Sequence, residues 1–370
     1  MKVLFLTNIP SPYRVEFFNE LGKKCDLTVL FERENASDRN EKWFDNNSNN
    51  FKSFVLKGIK VRADSALNIG VIKFLNFNYD IIVIGGYATP TSMLSILYLK
   101  ARRISFILNA DGGFISKDEK FFKKSIKSFF ISSAEYWLST GIRTSEYLKY
   151  YGANENNIFQ YPFTSITTKT ITNKRVSVFE KKLLKNKLNI HSNKVVISVG
   201  QFIHRKGMDI LLNCWNEIRV SGEKVELLLV GGGELKEEYQ RIIKEKDISV
   251  RIIDFKPKEE LQMYYKIADI MVLPTREDIW GLVINEAFSY GLPVITTDKC
   301  VAGIELIKNH ENGYIIPMKN IEALPYKINE LLSNSLLIDK MAKNNLEKIK
   351  TYTIENMASK HMYLFKKVKL

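Results

Sequence analysis

KVVISVGQFIHRKGMDILL (194–212) decides how the chain folds. From Lys194 to Gly200 the run is apolar at almost every position, and Val195, Val196, Ile197 and Val199 are β-branched. A half-exposed strand would alternate apolar with polar residues. A run without alternation belongs to a strand buried on both faces. It stops at a glycine, a short loop carries Arg205 and Lys206, and a helix-forming stretch starts after Gly207. Strand, loop and helix in that order are half of a parallel βαβ unit.

The unit recurs. Runs of the same kind are KVLFLTN (2–8), DLTVLFE (26–32), YDIIVIGG (79–86), ISFILNA (104–110) and AEYWLST (134–140), then KVELLLVGGG (224–233), VRIIDF (250–255), ADIMVLP (268–274) and LPVITT (292–297). Stretches of helical periodicity separate them. Between the halves, 164–193 is polar and carries no strand pattern, so a domain boundary is placed at its start. A chain of 370 residues exceeds what one core usually serves. The expectation is an α/β protein of two doubly wound, Rossmann-like domains, 1–163 and 164–351. Such sheets bind ligands at the carboxyl ends of their strands, in a cleft. The Asn-rich segment 33–50 reads as a solvated loop or as a flap over an acceptor.

Bulk properties narrow the class. The chain is 45% hydrophobic and 26% charged, the composition of a folded protein. With 55 basic and 41 acidic residues the formal charge is +14, which favours an anionic partner. The three cysteines, Cys25, Cys214 and Cys300, form neither a disulfide framework nor a metal-ligand spacing. No apolar stretch nears the roughly 20 residues a membrane span needs. The expected location is the cytoplasm.

Chemistry concentrates in TREDIWGLVINEAFSYGLPVI (275–295). A helix is expected from near Trp280 to Gly291, with Glu286 on an otherwise apolar face beside Leu282, Val283, Ser289 and Tyr290. A carboxylate placed so must be paired or hydrogen-bonded. Asp278 reads either as an N-cap or as a working acid. The amides of Trp280, Gly281 and Leu282 lie at the helix start, where donors and dipole suit phosphate. In the 194–212 stretch, Arg205 and Lys206 sit between strand end and helix start, and the Arg205 fork can grip two phosphate oxygens. LLLVGGGELKEEYQ (227–240) places glycines after a strand but lacks G-x-G-x-x-G, which disfavours nicotinamide chemistry.

These ordered motifs resemble the retaining glycosyltransferases of family 4, which have the two-domain GT-B architecture. Asp278 and Glu286 enclose seven residues and AFSYGLPVI follows, as in the family's E-x7-E signature. Asp stands where Glu is usual, with Glu277 just before it, so either Glu277 or Asp278 fills the first acidic place. The resemblance implies that this first acid binds the transferred sugar and that Glu286 binds the donor ribose. It implies that Lys206 and Arg205 hold the diphosphate, although Gln201 stands where many members have arginine. Gly232 would line the nucleotide side, and the loop bearing Asp254, Phe255 and Lys256 would meet the base. Asp111, in FILNADGGF (106–114), would face the reacting carbon and acceptor, or simply serve an Asp-Gly-Gly turn. Tyr13 and Arg14 would face the cleft. The final segment, 352–370, would return as a helix onto the first domain and act with the linker as a hinge.

Function follows as an expectation: transfer of a sugar, with retention, from a nucleotide diphosphate donor, a UDP-sugar first, to a glycan or lipid-linked acceptor in bacterial surface polysaccharide synthesis. Without an Asp-x-Asp motif no metal is expected, and no cofactor. A sugar-nucleotide epimerase on the same architecture and a non-catalytic anion binder are the alternatives. KDEKFFKKSIKSFFISSAEY (117–136) interleaves Phe121, Phe122, Ile126, Phe129 and Phe130 with Lys120, Lys123, Lys124 and Lys127. It reads as a helix packed on its own sheet or as a peripheral contact with an anionic membrane face. No nucleic-acid module accompanies it.

Overall fold

The structure, a computed structural model, describes residues 1–35, 48–116 and 118–368. The chain divides into two compact units, Met1–Ser165 with Tyr352–Leu370, and Ile166–Thr351.

In the first unit the strands are β1 (Lys2–Thr7), β2 (Asp26–Phe31), β3 (Lys52–Val55), β4 (Ile59–Arg62), β5 (Ser65–Leu67), β6 (Ile81–Gly85), β7 (Ile107–Ala110), β8 (Tyr136–Ser139) and β9 (Ile158–Gln160). Seven form one sheet in the order β3-β2-β1-β6-β7-β8-β9, parallel throughout, while β4 and β5 pair as an antiparallel ribbon. In the second unit β10 (Lys194–Gln201), β11 (Val225–Gly232), β12 (Val250–Ile253), β13 (Ile270–Leu273), β14 (Val294–Thr297) and β15 (Gly313–Ile316) lie in the order β12-β11-β10-β13-β14-β15, again all parallel.

All ten apolar runs are strands of these sheets. The central ones are buried along their length: Val195, Val196 and Ile197, and likewise Leu227, Leu228 and Leu229, have no exposed surface. Each such side chain contributes about 1.5–3 kcal/mol by leaving water, and helices on both faces make that possible. Sequence reading missed β3 and β9, short outermost strands without an apolar run, and also β4, β5 and β15.

Strand order reverses between β1 and β6 in one sheet and between β10 and β13 in the other. In sheets of this kind ligands bind beyond the carboxyl ends of the strands, at the point where strand order reverses. Residues 204–207 and 274–281 of the second unit leave β10 and β13 at such a point.

The C-terminal helix Ile354–Val368 belongs to the first unit and packs on the helix Pro12–Gly22. Its face of Ile354, Met357, Ala358, His361, Leu364 and Phe365 is buried, with the His361 ring 4.7 Å from that of Phe17. The segment 164–193 contains the helix Val178–Lys187 and no strand. Of the stretch 33–50 read as a loop or flap, residues 36–47 lie outside the described residues.

Candidate functional site

Gly207 explains why the loop after β10 turns where it does. Its φ is 69°, and a Cβ there would stand 2.0 Å from the carbonyl oxygen of Pro274 at the end of β13. Only glycine permits that approach. Two adjacent loops are thereby pressed together and fastened. The Thr275 hydroxyl and the Arg276 amide each donate to the Arg205 carbonyl at 2.9 Å. Arg205 Nη1 donates in return to the Glu277 carbonyl at 2.7 Å. Arg276 grips the Asp209 carboxylate with both Nη atoms, at 2.8 and 2.6 Å, and donates to the His204 carbonyl at 2.8 Å. The guanidinium in turn holds the Asp209 carboxyl below its ordinary range, against the opposing effect of burial.

Within this fastening the predicted cations meet one predicted acid. Lys206 Nζ is ion-paired and hydrogen-bonded to Asp278 Oδ2, and Arg205 Nη1 lies 3.8 Å from Asp278 Oδ1. Asp278 is buried and Lys206 nearly so, whereas Glu277 is exposed. The Asp278 backbone is fixed too, its amide donating to Lys299 at 2.8 Å and its carbonyl accepting from Val301 at 3.1 Å.

The helix expected from Trp280 to Gly291 spans Leu282–Ser289. Gly281 is its N-cap at φ 102°, and a Cβ there would meet the Cys300 sulfur at 2.7 Å. No side chain caps the helix, so Asp278 is not the N-cap that one reading made it. Its carboxylate turns instead to the cations. The Ile284 amide donates to the Gly281 carbonyl at 2.9 Å, while among the described residues those of Leu282 and Val283 have no protein acceptor and are left for water or a ligand.

Glu286 is half-buried on this helix. The Tyr265 hydroxyl donates to its Oε2 at 2.9 Å, and the Tyr265 ring stacks on Tyr290 with centroids 5.5 Å apart. Burial, reinforced by the Glu286 carboxylate, pushes the Tyr265 phenol well above its ordinary range, so it remains a donor. Gly232 ends β11. Phe255 and Lys256 follow β12, with Lys256 paired to Glu260 at 2.9 Å.

Asp111 stands in the first unit, just beyond β7. Arg14 is ion-paired to it, Asn109 Nδ2 donates to it at 3.0 Å and the Tyr161 hydroxyl at 3.3 Å. Arg14 corrects an expectation. Expected to face the cleft, it is buried, 4% exposed, against the rings of Tyr13 and Phe163. A buried guanidinium must be paired, and Asp111 is its partner. Behind Tyr161 stands the His361 ring, 4.6 Å away. Burial lowers that imidazole to about 4, so it is neutral, and Nδ1–H donates to the Met357 carbonyl at 2.8 Å.

The basic aromatic stretch forms the helix Phe121–Ile131, of which only Phe130 and Ile131 are buried. Phe121 and Phe122 are 85% and 76% exposed. The reading in which its apolar face packs on the sheet therefore fails for most of that face. Among the described residues no helix is long and apolar enough to cross a membrane.

The chain is similar to known proteins. Residues 180–348 match the family model of glycosyl transferases group 1. The matched group 1 region lies within the second unit and contains Lys206, Asp278 and Glu286. An uncharacterized glycosyltransferase of Haemophilus influenzae is 30% identical over 189 residues, 50% of this chain and 53% of that protein. The amylovoran biosynthesis glycosyltransferase AmsK of Erwinia amylovora is 29% identical over 154 residues, 39% and 37% of the two chains. The chain thus spans about half the length of the first of these relatives and less of the second. Among solved structures, HepE of Anabaena, in complex with UDP and glucose, superposes with TM-score 0.78 at 15% identity over 99% of this chain and 100% of that one. Sucrose-phosphate synthase from Thermosynechococcus elongatus gives 0.75 at 18% identity over 99% and 98%. The fold is GT-B.

The partnerships of several residues were not read from the sequence. Arg276 and Asp209 look like surface charges until the fold makes them a clasp. Tyr265 gives no sign of reaching Glu286, 21 residues away. For Arg14 the clue was a charged residue on a helix face that also carries Val15, Phe17, Phe18 and Leu21, all buried.

Proposed function

We propose that the chain transfers a sugar from a nucleoside diphosphate donor, a UDP-sugar first, to a hydroxyl of a glycan or lipid-linked acceptor, with retained anomeric configuration. The observation that carries this reading is the pair of cations, Lys206 and Arg205, beside an uncapped helix start at the strand-order reversal of the second sheet. In the reaction the bond between the sugar C1 and the β-phosphate oxygen breaks. The acceptor oxygen bonds to C1 on the same face, and its proton passes to the departing phosphate. Charge grows on that phosphate, where Lys206, Arg205 and the amides of Gly281 and Leu282 stabilise it. Glu286, held by Tyr265, takes the ribose hydroxyls. Gly232, Phe255 and Lys256 border the nucleotide, and Asp111 serves the acceptor side. The reading needs neither metal nor cofactor.

Retention rests on the likeness to family 4. Surface polysaccharide as the product is supported by relatives named for amylovoran and capsular polysaccharide biosynthesis. UDP as the base-bearing group is supported by structural neighbours solved with it. Exposed Phe121 and Phe122 beside Lys120, Lys123 and Lys124 support a peripheral contact with anionic lipid on the cytoplasmic side, which suits a lipid-linked acceptor.

The test is a thermal-shift panel of UDP-, GDP- and ADP-sugars, followed by transfer to lipid-linked acceptors with the product's anomeric configuration read by NMR. Stabilisation by one nucleotide class and release of its diphosphate only with acceptor present is expected. Donor conversion without any acceptor would favour an epimerase, and indifference to every nucleotide would remove the reading.

A further inference from the structure

The β4–β5 ribbon is held on the first unit by polar contacts more than by apolar burial. Of its apolar side chains, Ile59 and Val61 are exposed and Ala66 alone is buried. Its attachment runs through β5 and Asn68 to the end of β2 and the start of the helix Pro90–Ala101. Thr91 Oγ1 donates to the Ala66 carbonyl at 2.6 Å and accepts from the amide and from Nδ2 of Asn68, each at 3.0 Å. Asn68 Nδ2 also donates to the Glu32 carbonyl at 3.2 Å. At the ribbon's turn, Asp64 accepts from Asn8 Nδ2, just beyond β1, at 3.0 Å. The ribbon thus lies against the carboxyl ends of β1 and β2, beside the β1–β6 reversal.

Glu32 lies within this joint. Its side chain is buried, and its carboxylate accepts from the Thr89 and Ser92 hydroxyls and the Ala66 amide, all neutral donors. The charged groups around it are Asp64, whose like charge opposes ionisation, and Arg33, whose guanidinium donates to the Ala63 carbonyl. β1 and the helix start bring only the neutral Asn8, Thr89, Thr91 and Ser92. Among the described residues no cation pairs with Glu32. A carboxylate buried in this way is relieved either by a proton or by water. Burial accordingly raises the carboxyl to about 7, with the three hydrogen bonds opposing. Two more polar atoms of the joint, Ser65 Oγ and Asn68 Oδ1, are buried without a hydrogen-bond partner among the described residues. Water would satisfy them too, so opening the joint costs less than opening an apolar one.

We propose that the ribbon is a latch set by Glu32: closed on the helix start while the carboxyl is neutral, and lifted to admit water when its proton leaves to solvent. The latch lies at the carboxyl end of the first sheet, where sheets of this kind bind ligands, so access to that end increases as pH rises. This stands independently of the donor-site reading above.

Hydrogen exchange on the full chain tests this, with rates expressed as protection factors to remove the intrinsic effect of pH. The carboxyl titrates at about 7 when the latch is closed and at its ordinary 4.5 when open to water. The opening equilibrium then rises about tenfold from pH 6 to pH 8 and levels off beyond. The amides of Ala66 and Asn68, which donate to Glu32 and Thr91, should lose protection by that factor. At every pH they should be protected about tenfold less or more weakly still than the amides of β7, which exchange only when the whole unit opens. Glu32→Gln keeps the shape of the side chain without its charge and should make the protection of Ala66 and Asn68 independent of pH. Protection equal to that of β7, protection unchanged with pH in the parent, or the same pH dependence in Glu32→Gln would overturn the latch. Should the variant not fold, the parent decides alone: its decline must flatten above pH 7, and a decline that continues would assign the opening to another group.

Discussion

Lys206 is the cation on which the proposed transfer depends most. It is mostly shielded from water, and its partner Asp278 belongs to the neighbouring loop. A positive charge held in that way is worth more to a developing phosphate charge than a solvated one, because little reorganisation is needed as the bond breaks. Lys206→Ala should therefore lower the turnover of transfer by about 100-fold or more. The measurement is the rate at saturating donor, and an unchanged rate would show that the charge does no work in the transition state.

At the scale of elements, the junctions between strand ends and helix starts carry the polar groups the sheets cannot absorb. The end of β2 shows this in the first unit. Glu32 is buried there, accepting from Thr89 Oγ1 at 2.5 Å, Ser92 Oγ at 3.2 Å and the Ala66 amide at 3.4 Å. Thr89 also caps the helix Pro90–Ala101, its Oγ1 accepting from the Ser92 amide at 3.1 Å. Burial raises the Glu32 carboxyl to about 7, only partly offset by those hydrogen bonds. The folded state thus holds a proton that the unfolded chain releases near its ordinary value of 4.5. More protons bound when folded means that stability falls as pH rises from 4.5 to 7, by at most about 3 kcal/mol from this group. Glu32→Gln should flatten the decline in Tm between pH 5 and pH 8. Parallel Tm curves for variant and parent would show that Glu32 titrates normally.

For the whole molecule the open matter is what its +14 charge serves. Part of the basic surface sits with exposed aromatics on the helix Phe121–Ile131, where Lys124 Nζ lies 4.2 Å from the Tyr150 ring. Exchanging Phe121 and Phe122 together for Ser should weaken co-sedimentation with phosphatidylglycerol vesicles by about tenfold or more, through lost apolar burial. The same change should leave binding to neutral vesicles as weak as before. Equal sedimentation of both proteins would assign the patch another role.

The sequence by itself determined the architecture, because a strand covered on both faces must be apolar along its whole length, and ten such runs alternating with helices admit little besides parallel sheets. Local spacing also placed Lys206, Arg205 and Asp278 between strand ends and helix starts, and Glu286 on the helix that follows. Tertiary structure alone decided which of these charges meet. Asp278 and Lys206 are 72 positions apart, as are Arg205 and Glu277, and Arg14 and Asp111 are 97 apart. It also buried Asp278 while leaving its neighbour Glu277 exposed. It left Phe121 and Phe122 outside the core, although helical periodicity gave the same pattern for either outcome. Periodicity reports which face of an element is apolar, whereas pairing and exposure depend on what the rest of the chain brings against that face.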